Sequence, residues 1–159
     1  MKLTPYLAQQ TKGGCGPCSF IMVAGYFNPE LALTEEEALR DFGVDGFGPR
    51  CFALVPSFHR AASAFGLGIR VERMDRAALR GHLASGPVIL YHRASEAGDA
   101  LPHFSVALSV TDTQITRHDP SDGPDLVGDL DRFERVWEAA KLSSPPREGR
   151  YGVVLRPRG

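Results

Sequence analysis

The pattern of apolar residues changes character once along this chain, near Pro87, and that change limits the folds open to it. Before Pro87 the apolar positions recur at helical spacing. "CGPCSFIMVAGYF" (15–27) places apolar side chains at 20, 23, 24 and 27, with Pro17 in the first turn, where its missing N–H does no harm. Asn28-Pro29 then stops the helix. Thr34 with Glu37 predicts a capping box for a helix ending near Gly43, and "LVPSFHRAASAFG" reads as a helix ending at Gly66. Asp75 caps "RAALRGHLAS" in the same way. From Pro87 onward strand signals take over in "PVILYHR", "HFSVALSVTD", "QITRHD" and "YGVVLRP", with "LDRFERVWEAA" as an intervening helix and "GIRVERM" as one earlier strand. Helices first and antiparallel strands afterwards predict an α+β architecture, with a cleft where the two parts meet.

A length of 159 residues with 43% apolar composition suits one domain, residues 1–159, with a real core. No repeat or long linker interrupts it, and "SSPPREG" (143–149) reads as an exposed loop before the last strand. Eighteen basic and nineteen acidic residues leave a net charge of -1, so no global field attracts nucleic acid or anionic lipid. The longest uncharged apolar run, Phe20 to Phe27, is far short of the roughly 20 residues of a membrane span, so no membrane insertion is expected. "MKLTPYLAQQ" lacks the apolar core of a signal peptide, and three cysteines are too few for a disulfide framework. A reducing cytoplasm is the expected compartment.

"GGCGPCS" (13–19) contains the tetrapeptide Cys-Gly-Pro-Cys, which would suggest a thioredoxin-like dithiol. That site follows a buried strand of a βαβ unit. Here the lead-in is "LAQQTKGG", polar, Gly-rich and close to the start of the chain, with no room for the preceding elements. What remains is local physics: Cys15 opens a helix, where partial positive charge and free N–H groups stabilise a thiolate. That suits a nucleophile.

A cysteine nucleophile needs a base, an orienting group and an oxyanion site. Of the five histidines, His59 and His82 lie in expected helices beside arginines and His92 ends a strand, each read as a surface or boundary residue. His103 differs, because it opens a strongly apolar strand directly after the loop "SEAGDALP". Folding 103–111 back on 114–121 brings His103 and the His118-Asp119 pair to one end of a ribbon. A three-residue loop at 111–113 puts Asp119 on the side of His103, and a two-residue loop puts His118 there. Periodicity does not choose between them.

These features, "Q-x5-C-G-P" near the N-terminus, "HF" opening an apolar strand, "DP" at its hairpin partner, and "LDRFERVW" before "YGVVLRP", resemble the papain-like cysteine peptidases that remove double-glycine leader peptides from bacteriocin precursors, together with their peptidase-like relatives. The likeness spans nearly the whole chain. Each motif is short, and the specificity lies in their order and spacing. The resemblance implies a papain-like fold with an N-terminal helical part on a C-terminal antiparallel sheet. It also implies Cys15 as nucleophile, His103 as general base, Asp119 as orienting carboxylate and Gln9 as oxyanion donor, with Gln10 as the fallback. The implied reaction is hydrolysis of a peptide or amide through an acyl-enzyme. Two alternatives share the scaffold: a papain-like acyltransferase using the same triad, and a non-catalytic peptide-binding module. The intact Cys, His and Asp set argues against the second.

Cys18 stands where relatives more often carry Ala or Ser, and reads as core filling; a reversible disulfide with Cys15 is the minority reading. Cys51 reads as a buried thiol. A zinc site built on Cys15 and Cys18 would need a second pair of ligands at matching spacing, and none exists, so no metal or cofactor is implied. The chain carries no transporter segment, so a role in export would require a separate exporter.

Overall fold

The computed structural model describes residues 2–43, 55–141 and 149–159. Cys51 and residues 143–148 of the expected loop lie outside them. Helices α1 (Cys15–Phe27), α2 (Glu35–Phe42) and α3 (Val55–Ala64) come first, followed by strand β1 (Leu67–Arg73) and helix α4 (Arg76–Leu83). Strands β2 (Val88–Arg93), β3 (Pro102–Val110), β4 (Gln114–Asp119) and β5 (Gly123–Asp129) come next, and helix α5 (Leu130–Ala139) and strand β6 (Tyr151–Pro157) close the chain. The architecture is α+β, with one six-stranded sheet in the order β1-β6-β2-β3-β4-β5 and every neighbouring pair antiparallel.

The sheet is covered on both faces. Ile89, Phe104, Val106, Val153 and Leu155 pack with Phe20, Met22 and Val23 of α1 and with Phe42, Phe58 and Ala61 of α2 and α3. The alternate residues Val88, Leu90, Ala107 and Val154 pack with Leu79 of α4 and with Leu130, Phe133 and Trp137 of α5. Strand side chains alternate between faces, so a central strand buried on both sides must be a continuous apolar run, as "VILY" is. Helix α4 packs on the opposite face from α1 to α3 and joins α5 there.

Helix α1 is buried from Cys15 through Gly25, which explains its weak amphipathicity: a helix enclosed all round has no solvent face to encode. The capping box of α2 forms as expected, with the Thr34 hydroxyl accepting from Glu37 N–H and the Glu37 carboxylate accepting from Thr34 N–H. Asp75 caps α4 by accepting from Ala78 N–H at 2.8 Å. Strand β5 has no counterpart in the sequence reading. It is an edge strand whose "GPDLVGD" is largely exposed, so burial leaves no alternating pattern to read. Among the described residues no helix is long and apolar enough to cross a membrane.

The segment before α1 has no regular structure but is tied to the far end of β4. Tyr6 donates its hydroxyl to Asp119 O at 2.9 Å, Gln9 N–H donates to Pro120 O at 2.9 Å, and His118 Nε2–H donates to Thr4 O at 3.1 Å. These bonds hold the entry to α1 against the residues that follow the hairpin.

Candidate active site

The hairpin of β3 and β4 decides which residue meets His103. Thr111 N–H bonds Gln114 O at 2.9 Å, closing a two-residue loop at Asp112-Thr113. Continued as a regular ladder, that loop would bring His118 to the side of His103. The ladder is not regular: Val110 pairs with Ile115 and Ser109 with Thr116, but Ala107 pairs with Arg117 and Val106 with His118, so Leu108 is an extra residue in β3. A β-bulge shifts the register by one residue, and a one-residue shift exchanges the faces. Asp119 therefore faces His103, with its Oδ1 2.7 Å from His103 Nε2. Loop length alone was the wrong criterion, because the bulge reverses its consequence.

Asp119 is 2% exposed and its carboxylate is fully engaged. Oδ1 also accepts from Ser121 N–H and from the Ser121 hydroxyl, each at 3.0 Å, and Oδ2 accepts from Arg117 Nη1 at 2.7 Å. Burial alone would raise its pKa, but the His103 hydrogen bond and charge, then Ser121 N–H and Arg117, hold it well below the usual carboxylate range. Burial opposes the cationic form of His103, yet the Asp119 hydrogen bond and the adjacent Cys15 outweigh it and push the imidazole up to about 9. With Nε2 turned to Asp119, Nδ1 is the nitrogen left for the thiol. His103 is thus hydrogen-bonded to Asp119 at the end of β4, with Cys15, the first residue of α1, close enough to add to the rise in its pKa.

His92, read from sequence as a boundary residue, is 2% exposed and lies directly opposite His103 in the β2–β3 pairing, with ring centroids 5.4 Å apart. Its Nδ1–H donates to Arg93 O and its Nε2 accepts from the Ser105 hydroxyl, both at 2.7 Å. Burial, then the positive charges of His103 and Arg117, lower its pKa to about 3, so it stands as a neutral wall behind His103. His118 turns the other way. It joins Thr4 O to Asp125 N–H, the latter bonded to Nδ1 at 3.0 Å, where a second irregularity between β4 and β5 leaves that N–H outside the ladder. Its role is to hold backbone.

Gln9 lies beside the entry to α1: a Cβ on Gly14 would meet the Gln9 Cβ at 3.0 Å. Gln9 Nε2 makes its one bond to Thr11 O at 3.0 Å, and its Oε1 is buried without a partner. Gln10 is exposed, with only its N–H held, by Glu35 Oε2 at 2.5 Å. Glu35 was missed as a site residue. Although it opens α2, it is buried and also accepts from Thr11 N–H at 3.0 Å and from the Thr11 hydroxyl at 2.7 Å. Its Oε1 occupies the space a Gly14 Cβ would need, so Gly14 is required by contact and not by φ, which is -81°. An acidic residue in the first turn of a helix is common for dipole reasons, so its inward turn carried no sequence signal. Cys18 is fully buried, and burial, Glu35 and Cys15 together push its thiol far up, as expected of core filling.

Comparison with known proteins agrees with this fold. A profile described as the Peptidase C39 family matches residues 4–148. No sequence among curated proteins matches significantly. The fold is similar to the peptidase domain of Streptococcus ComA, a bifunctional ABC transporter of a quorum-sensing pathway (16% identity, TM-score 0.75, covering 98% of this chain and 100% of that one). It is also similar to a double glycine motif protease from an AMS/PCAT transporter, solved with its leader peptide (19%, 0.70, 99% and 94%). A C39-like peptidase from Bacillus anthracis gives 15% identity and a TM-score of 0.76, covering 100% of this chain and 97% of that one. With nine-tenths of its length matched by that profile, and with helices and an antiparallel sheet arranged as in these neighbours, the chain belongs to the Peptidase C39 family.

Proposed function

We propose that the protein is a cysteine peptidase that cleaves a peptide through a thioester at Cys15, with a double-glycine leader as its substrate class. The observation that carries this reading is the hydrogen bond of His103 to buried Asp119, with His103 beside Cys15 at the N-terminus of α1. In this mechanism the Cys15 thiolate attacks the scissile carbonyl while the α1 terminus favours the anion. His103 holds the thiol proton and delivers it to the leaving amine. The thioester is then hydrolysed by a water that His103 deprotonates. Asp119 keeps the Nε2–H tautomer, so that Nδ1 faces the sulfur throughout. The oxyanion is held by the Cys15 backbone N–H and by the Gln9 amide, which has a second N–H beyond the one given to Thr11. The substrate class is carried over from the AMS/PCAT neighbour, a double glycine motif protease, and a separate exporter as partner follows the same analogy.

Incubation with peptides spanning a Gly-Gly junction, read by mass spectrometry with and without an amine acceptor, tests this. Cleavage with water as acceptor is expected, lost in Cys15→Ala and in His103→Ala, retained in His118→Ala, and reduced on the order of a hundredfold to a thousandfold in Gln9→Ala. Transfer to the amine in place of water would make the protein an acyltransferase. Cleavage that persists in Cys15→Ala, or a Cys15 alkylated no faster than Cys18, would remove the site.

A further inference from the structure

Arg117 stands two residues before Asp119, on the same face of β4, and the reaction just described does not use it. Its Nη1 meets Asp119 Oδ2 at 2.7 Å while His103 meets Oδ1 at 2.7 Å, so the two cations divide one carboxylate. The guanidinium is held from behind: its carbon lies 5.3 Å from the Phe133 ring centroid of α5, and Phe133 also packs on His92 at 5.0 Å. We propose that Arg117 is a positioning residue for this site, a permanent counter-ion that keeps Asp119 ionised and aimed at His103 in both protonation states of the imidazole. This inference rests on the proposed function and extends it to a residue outside the triad.

The need for such a counter-ion follows from burial. Asp119 is 2% exposed, and a buried carboxylate with no cation beside it takes up a proton or turns away. His103 supplies a cation only until it gives its proton to the leaving amine. At that point Arg117 is the charge that still holds the anion, and with it the Nε2–H tautomer on which the second half of the reaction depends. The groups facing His103 are Cys15 from α1, His92 from β2, Asp119 from β4 and the Ser121 hydroxyl, 3.3 Å from Nε2. His92 is neutral, so without Arg117 the imidazolium would be the sole cation facing the Asp119 carboxylate. Its proton would then be harder to remove, and it would be a poorer acid toward the leaving group.

The test compares full-length wild type, Arg117→Met and Arg117→Lys by histidine-ring nitrogen NMR across pH, alongside the rate of Cys15 alkylation by iodoacetate. Arg117→Met is expected to move the His103 titration to higher pH by about one unit, with the alkaline fall of the iodoacetate rate moving in the same direction. Arg117→Lys should return both toward wild type. A titration in Arg117→Met that stays at the wild-type position or moves down would overturn the proposal. If Arg117→Met does not fold, Arg117→Gln and Phe133→Leu take its place, with the same upward shift expected and the same unshifted result counting against it. The wild-type arm keeps the two readings apart. An ordinary His103 titration with slow Cys15 alkylation refutes the triad, whereas a raised titration that Arg117→Met leaves in place refutes only Arg117.

Discussion

The two sides of the candidate site are held by different means. On the nucleophile side, the loop carrying Gln9, Thr11 and Gly14 is fixed mainly through its backbone, by one buried carboxylate, Glu35, that accepts three hydrogen bonds. On the base side, His103 is fixed through side chains: Asp119, shared with Arg117 and Ser121, in front, and neutral His92 behind. The first arrangement sets where a helix begins and which backbone N–H groups face the cleft. The second sets a protonation state. Loss of a holding residue should therefore change geometry on one side and titration on the other.

The largest expected effect is on the nucleophile side. Glu35→Ala leaves two backbone N–H groups and the Thr11 hydroxyl without their acceptor, and bonds to a charged acceptor contribute about 1.5–3 kcal/mol each. We expect a loss of roughly 3 kcal/mol in chemical denaturation, with turnover falling more than the rate of Cys15 alkylation, because the oxyanion loop moves while the α1 terminus stays. Gly14→Ala should give the same phenotype, since its Cβ would displace Glu35 Oε1. The double variant should cost less than the sum of the two. Strict additivity would mean that Gly14 and Glu35 do not act through one contact.

The base side should show itself in pH. His103 is raised from 6.5 to about 9 by its partners, so its contribution to stability is complete below about 6.5 and is lost as the pH rises through about 9. Asp119 is depressed, so its share is present above the ordinary carboxylate pKa of 3.8 and is lost as the pH falls below it. Both describe the same ion pair. Thermal melts should show an alkaline decline of at most about 3 kcal/mol that is absent in His103→Ala. An equal alkaline decline in that variant would place its origin elsewhere. Glu35→Ala, by contrast, should leave that alkaline decline in place.

The smallest effect concerns the bulge. Deleting Leu108 lets the Ala107–Arg117 and Ser109–Thr116 pairs follow one another in a regular ladder, so Asp119 should still face His103. The cost is the packing of half-buried Leu108 against the α1-side core, about 1 kcal/mol in stability, with the raised His103 titration retained. A His103 that titrates ordinarily in this variant would show that the bulge shapes the site beyond setting its register.

Much of this protein is determined by sequence alone. Helix α1 and the position of Cys15 at its start, the caps at Thr34 and Asp75, and the order of helices and strands apart from the edge strand β5 follow from local signals, because capping and amphipathic spacing act within a few residues. The pairing of His103 with Asp119 was decided only by tertiary structure. Its hairpin has the two-residue loop that points to His118, and the bulge at Leu108 reverses that outcome. The bulge lets both Ala107 and Val110 face the α4 and α5 core, and that core is assembled from residues as far apart as Met74 and Val154. The inward turn of Glu35, the burial of His92 and the approach of Arg117 to Asp119 depend in the same way on neighbours brought in from distant segments. Local spacing sets the alternation along a regular strand, but a bulge that reverses it, and the groups that wait to receive a charge, are set by the packing of the whole chain.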